Sequence, residues 1–297
     1  MSLTIKRLID FYRTDTYLSY LRLKYPVRLK HDRLLARIER EHGSSSLRSI
    51  RTRTLLVWHS EWQAGGKTAM AHSLMACLRL IFRFGAGMLE DRDCFRLHDA
   101  MVEMRIEGPS RRTLEMTKDQ AEAVRAKAHE FGWHSIALAQ ALQYELLLSQ
   151  KDVIGEWVPI LETGESDVVF RGQKWLRGLR WSHIGKDLSL KFATGKSRRP
   201  ISVDLLTARM VMEEFAFLGS RKNEGPIIIC EITGAPYATS EFRRKWRIVA
   251  DAAGISKDIR SSDSKPNGLI IGGPNRATIS RNYSWKDICS GPRMLGN

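Results

Sequence analysis

The stretch 135–157, SIALAQALQYELLLSQKDVIGEW, constrains this chain more than any other. Ile136, Ala139, Leu142, Leu146 and Leu147 recur at helical spacing, so one face of a helix there belongs in a core. The pattern breaks into a polar knot, Ser149-Gln150-Lys151-Asp152, and turns apolar again at Val153 and Ile154. Two readings of the knot stand side by side: a solvated helix end, or polar groups that a buried helix presents to a ligand.

Charge narrows the partner. The 297 residues carry 48 Lys and Arg against 33 Asp and Glu, a net charge of +15. Such an excess favours a polyanion, because neutralising phosphates and releasing their counterions supplies most sequence-independent affinity for nucleic acid. A nucleic acid is therefore the favoured partner, with a membrane surface the competing polyanion. No run approaches the roughly 18 apolar residues of a membrane-spanning helix, so no membrane is expected. The amphipathic start, MSLTIKRLIDFYR, lacks the apolar centre of a signal peptide, which makes the cytoplasm, in association with the nucleoid, the expected location. Cys77, Cys94, Cys230 and Cys289 are scattered without a CxxC pair, which suggests neither a zinc site nor a disulfide framework.

Residues 1–105 read as helices, with Val27, Leu34, Leu35 and Ile38 on one buried face and Met70, Leu74, Leu78, Ile81 and Phe82 on another. Within 1–100, 18 basic residues face 10 acidic ones, so this third alone is basic enough for DNA. Ala64-Gly65-Gly66-Lys67-Thr68 has the look of a phosphate loop, but the required earlier glycine is Glu61 and the surroundings are helical. Nucleotide binding is rejected, and Lys67 is a basic residue at a helix start. Residues 106–116 read as a linker. Thr117 and Gln120 form a capping box, and the helix they open has Ala121, Val124, Ala128 and Phe131 inward and stops at Gly132.

Beyond 167 the character changes. Leu188, Leu190 and Phe192, then Ile201, Val203 and Leu205, alternate as two strands around a turn at 193–197. Residues 171–200 hold nine basic residues and one acid, the densest positive segment of the chain. A helix over 205–218, a short buried strand over 226–230, and a helix capped by Ser240 follow. In that last helix Phe242, Trp246, Val249 and Ala253 point inward, while Arg243, Arg244, Lys245 and Arg247 cover the other faces. After Lys265 prolines and glycines leave no period, and 266–297 read as an irregular tail.

In this order of parts the chain resembles the tyrosine recombinases, the phage-integrase family. KTAMAHSLMACLRLIFRFG is similar to the last helices of their core-binding domain. The helix ending in a polar knot, the basic hairpin with a lysine after Thr-Gly, and the helix ending in Ala252-Ala253-Gly254-Ile255 follow as in their catalytic domain. The resemblance implies an α+β fold, mainly α with a small antiparallel sheet. A helical, SAM-like core-binding domain over 1–105 would precede an integrase-like catalytic domain over 113–265. It also implies DNA integration and recombination for a mobile element, through a 3′-phosphotyrosine, with no metal and no cofactor. DNA would be shared with further copies of the chain or with an intact recombinase.

The resemblance assigns roles residue by residue. Lys196 matches the hairpin lysine that protonates the leaving 5′-oxygen. The first arginine of the family stands three residues before an acid; here the acid is Asp152 and the earlier position is Ser149, which cannot replace a bidentate cationic fork. The His-x-x-Arg element fits best as Ser262 to Lys265, with Arg260 a neighbour out of register. Tyr283 superficially matches a nucleophile context, but it lies only 18 residues beyond Lys265. Lys67, Arg177, Arg180, Lys191, Arg198, Arg199, Arg243 and Arg244 are the expected DNA contacts. With so many groups replaced, strand cleavage is expected to be impaired. The alternative is a DNA-binding regulator or partner subunit on the same fold without catalysis.

Overall fold

The computed structural model describes residues 3–17, 20–106, 108–110, 113–195, 200–219 and 224–264. It divides into two compact units, Met1–Arg111 and Arg112–Asn297.

The first unit is helical: α1 (Ile5–Thr14), α2 (Tyr25–His42), α3 (Thr52–Gln63), α4 (Thr68–Leu89) and α5 (Arg92–Glu103). Helix α4 packs against the other four. By length and mean hydropathy it is able to cross a bilayer. Its apolar residues, however, are spent in the core: Leu74, Leu78, Ile81 and Phe82 are fully buried beside Leu8, Leu35, Ile38 and Leu97. Gly85 lets α5 close on α4, because a Cβ there would overlap Cys94 Sγ. Gly65 and Gly66 take positive φ in the turn between α3 and α4, so the Gly-Gly-Lys segment joins two helices and no strand precedes it.

The second unit holds α6 (Lys118–Glu130), α7 (His134–Glu145), α8 (Gln150–Ile154), β1 (Glu156–Pro159), β2 (Val169–Phe170), β3 (Gln173–Leu176), β4 (Ser189–Ala193), β5 (Pro200–Asp204), α9 (Arg209–Leu218) and α10 (Thr239–Ala252). Thr117 and Gln120 close the expected capping box on α6. Strands β4 and β5 pair antiparallel, with Leu190 opposite Val203 and Phe192 opposite Ile201 on the buried side. A three-stranded antiparallel sheet, in the order β1-β3-β2, is an addition to the expected hairpin.

Helix α7 is the centre of this unit. One buried face was expected, yet every residue from Ile136 to Tyr144 is buried. A helix apolar nearly all round belongs inside a large core, and α6, α8, α9, α10 and the 3-10 turn Ser261–Ser264 all pack on it. Helix α9 is tied to α6 by ion pairs: Arg125 reaches Glu214 at 2.7 Å and Glu213 at 2.9 Å, and His129 Nε2 lies 2.9 Å from Glu214.

Four groups of expectations fail, some at element edges and some within elements. Val27, Met70 and Phe131 are 40%, 43% and 43% exposed, because each sits near the end of its helix, where the stripe outruns the partner that would cover it. Residues 226–230 are largely buried but form no strand; only Pro226 makes a bridge, to Arg180. The helix expected to be capped by Ser240 begins at Thr239, with Ala238 at the N-cap. Lys245, expected on an outer face, is 1% exposed.

The close fit of β3 is testable. Gly178 lies against the Trp175 ring, whose Nε1 donates to the Ile154 carbonyl at 2.8 Å, and a Cβ at 178 would lie 2.7 Å from Gly155 N. Gly178→Ala is expected to cost about 1–3 kcal/mol, measured as a lowered urea midpoint. Gly87→Ala, with open space at its Cβ, serves as the control.

Candidate nucleic-acid interface

The polar knot is the start of a helix, not the end of one. Helix α7 stops at Glu145, Leu147 takes φ 52°, and Ser149 is the N-cap of α8. Ser149 Oγ accepts the Asp152 N–H at 3.2 Å, and Asp152 Oδ2 accepts both the Ser149 N–H at 3.3 Å and the hydroxyl at 2.6 Å. This reciprocal capping satisfies donors that a helix start leaves unpaired. The other carboxylate oxygen, Oδ1, accepts the Gly195 N–H at 2.8 Å. Asp152, 4% exposed, therefore pins the end of β4 and the first residues of its turn to α8.

Cations around the knot are internally committed. Glu156, 6% exposed, pairs with both Lys151 and Arg177. Arg177 holds φ at 67° between β3 and the following turn. Arg180 pairs with Asp167, whose carboxyl that guanidinium holds below the usual range, and lies 5.5 Å from the Trp175 ring centroid.

Beside the knot lies a cavity of about 280 Å³ lined by Gln150, Arg243, Trp246, Arg247, Arg260, Ser261 and Ser262. Arg243 Nε donates to Gln150 Oε1 at 3.2 Å. Arg247 pairs with Asp251 at 3.2 Å and donates to the Ile259 carbonyl. The Arg260 backbone N–H donates to Asp263 Oδ2 at 2.9 Å, while its side chain has no hydrogen-bond partner among the described residues. Three guanidinium groups on one concavity make a ready receptor for phosphate oxygens. The turn carrying Arg260 is set by α7: Gln140 Nε2 donates to Ser264 Oγ at 3.0 Å, and the Ser261 hydroxyl donates to Gln143 Oε1 at 3.4 Å.

The expected residues divide as follows. Ser149 sits at the cavity's edge, next to Gln150, as a helix cap. Arg243 is in the cavity, and Arg244 is exposed on the same helix. Lys191 is exposed on the outer face of β4, and Arg177 and Arg180 are half-buried in ion pairs. Lys67 is exposed at the start of α4 in the first unit, with no cap bond from its side chain. Lys196, Arg198, Arg199, Lys265 and Tyr283 lie outside the described residues. Arg247 and Arg260 were not expected as contacts. The i, i+4 spacing of Arg243 and Arg247 on one helix face is a signal that identifies the first; only the fold brings Arg260 beside them.

No protein-family model and no curated protein matches the sequence. Solved structures do. A lambda integrase dimer bound to a COC′ core site is 16% identical, with a TM-score of 0.65 over 89% of this chain and 84% of that one. A lambda integrase tetramer bound to a Holliday junction is 17% identical, with a TM-score of 0.63, and this chain's 86% matches only 65% of its length. The Tn1549 transposon integrase in complex with circular intermediate DNA is 12% identical, with a TM-score of 0.58 over 89% and 85%. The chain thus has the fold of the tyrosine recombinases, α+β and mainly α.

The Asp152 clamp gives a direct test. Asp152→Asn replaces one acceptor with a donor, so the amide can no longer accept from both Ser149 and Gly195. Gly195 is expected to exchange its amide hydrogen at least tenfold faster, about 1.4 kcal/mol of lost protection, read by hydrogen-exchange mass spectrometry over 189–204.

Proposed function

We propose that this chain is a double-stranded-DNA-binding protein of the integrase type in which strand cleavage is impaired. Ser149 carries the reading. Where the resemblance calls for a cationic fork three residues before the acid, a hydroxyl caps a helix, and the neighbouring Lys151 and Arg177 are held by a buried Glu156. Removing one group that stabilises transition-state charge commonly costs roughly 10²–10³ in rate. Lys265 at the second arginine position and the tail 266–297 add further departures.

DNA binding needs less. Arg243, Arg247 and Arg260 line a concave site able to hold phosphate oxygens, and Arg244 and Lys191 are exposed cations of the same unit. Lys196, Arg198 and Arg199 are the further contacts that the resemblance implies. The first unit, with Lys67, acts as the core-binding module and the second as the catalytic-type domain. Such a protein works on a mobile element in the nucleoid, with further copies of itself or with an intact recombinase. The exposed Arg260 side chain, without a hydrogen-bond partner among the described residues, favours the second reading, a DNA-binding regulator or partner subunit. A cation free to bind phosphate serves that role without any nucleophile.

Two outcomes follow. On a nicked suicide DNA substrate, no covalent protein–DNA adduct accumulates, and Ser149→Arg alone strengthens binding without restoring cleavage; an adduct formed by the natural chain and lost in Tyr283→Phe overturns the impairment. In filter binding, Arg260→Ala weakens DNA association across sequences and lowers the slope of log K against log salt by about one. An unchanged slope removes Arg260 from the interface.

A further inference from the structure

Lys245 is on α10, 1% exposed, away from the cavity lined by Arg243 and Arg247. Taking an ammonium out of water costs several kcal/mol unless it is paired. Among the described residues Nζ makes no ion pair. Its hydrogen-bond partner is the Cys230 sulfur, at 3.2 Å. The ring centroids of Trp133 and Tyr237 lie 5.1 and 5.2 Å from Nζ, aromatic surroundings that favour the cation.

Cys230 is fully buried at the base of a tight turn. Its N–H donates to the Ala235 carbonyl at 2.9 Å, and its carbonyl accepts the Gly234 N–H at 2.9 Å. Burial pushes the thiol up, but hydrogen bonds from the Thr233 side chain and the Thr233 and Ile232 N–H groups, with Lys245, outweigh it and leave Cys230 below an ordinary thiol. The Cys230 thiol donates to Glu241 Oε1 at 3.7 Å. Cys77 shows the contrast: burial raises its thiol to about 12. Cys94 is raised by burial and by Asp91. The turn carrying Cys230 is at the surface, with Ile232 74% exposed, which gives a small oxidant a short path.

We propose that Cys230 and Lys245 form an oxidative cross-linking site, in which hydrogen peroxide converts the thiol to a sulfenic acid that the lysine amine captures as a sulfenamide. In the first step the thiolate attacks peroxide: an S–O bond forms, the O–O bond breaks, and the departing hydroxide takes a proton to leave as water. Sulfenic acids of this kind condense with nearby nitrogen. In the second step Nζ gives up its ammonium proton, its lone pair attacks sulfur, and the S–O bond breaks with loss of a second water. One thiol, one amine and one peroxide give one N–S bond and two waters. The buried ammonium charge disappears, so the product removes the desolvation cost that Lys245 carries in the reduced chain.

The test uses the full chain, reduced, desalted and exposed to hydrogen peroxide. The peroxide is then removed with catalase, the chain is denatured in iodoacetamide, and peptides are mapped by mass spectrometry. The expected result is a peptide pair joining Cys230 to Lys245, lighter by two hydrogens and separated by dithiothreitol, while Cys77 and Cys94 are alkylated as free thiols. Lys245→Met abolishes the link and leaves a Cys230 sulfenic acid that dimedone traps; Cys230→Ser abolishes both. Full alkylation of Cys230 in the treated natural chain, or its conversion to unlinked sulfinic acid, overturns the proposal. The natural-chain map decides alone if either variant fails to fold.

Discussion

The second unit depends on the enclosure of α7. A helix buried on every side must satisfy whatever polar groups it carries, and α7 carries two glutamines, Gln140 and Gln143, 0% and 1% exposed. A buried amide without partners costs roughly 1–3 kcal/mol per unmet group. Gln140 meets this by accepting from Trp246 Nε1 at 2.8 Å and donating to Ser264 at 3.0 Å, which fixes α10 and the turn Ser261–Ser264 against the same helix. Arg243 and Arg247 on α10 and Arg260 before the turn are thereby brought to one cavity. The positive concavity is a consequence of how the core satisfies two amides.

The basic excess of the chain is less available than its size suggests. Arg180 and Asp167 pair at the surface, where an ion pair is worth about 0–1 kcal/mol and exchanges easily for a phosphate. Lys151 and Arg177 differ, because their carboxylate is Glu156, which is buried. Drawing both cations away would strand that charge, and breaking a buried pair costs about 3–5 kcal/mol. Of the cations near the knot, those best placed to meet DNA are therefore on α10 and at Arg260.

The sequence made the local rules legible. The capping box at Thr117, the alternating strands at 189–193 and 200–204 and the stripe of α4 need only nearby residues, and all appear. The order of these parts also led to the recombinase fold. What was lost depends on distant packing. One face of α7 reads as apolar, but Gln140 and Gln143 conceal that the other faces are buried too. Strands β1 to β3 are two to four residues long, too short to show alternation. Nothing in Arg243-Arg244-Lys245-Arg247 marks Lys245 as interior; the partner that draws it in, Cys230, is 15 residues away. At the candidate site Arg243 was legible as a basic residue of α10, while its place beside Arg260 needed the fold.

Ser149 shows how a neutral side chain can organise the start of α8. Ser-x-x-Asp is itself a helix-start signature, and the two side chains cap α8 reciprocally. An N-cap serine is worth about 1 kcal/mol, so Ser149 contributes to stability on its own account. The second oxygen of Asp152 holds the Gly195 N–H, so the end of β4 is fixed to α8 with a hydroxyl, not a guanidinium, at position 149. A group that lowers a transition state acts only during cleavage, whereas the cap and the clamp act in every folded molecule. Together the reciprocal cap and the Gly195 bond keep α8 and the end of β4 in one arrangement.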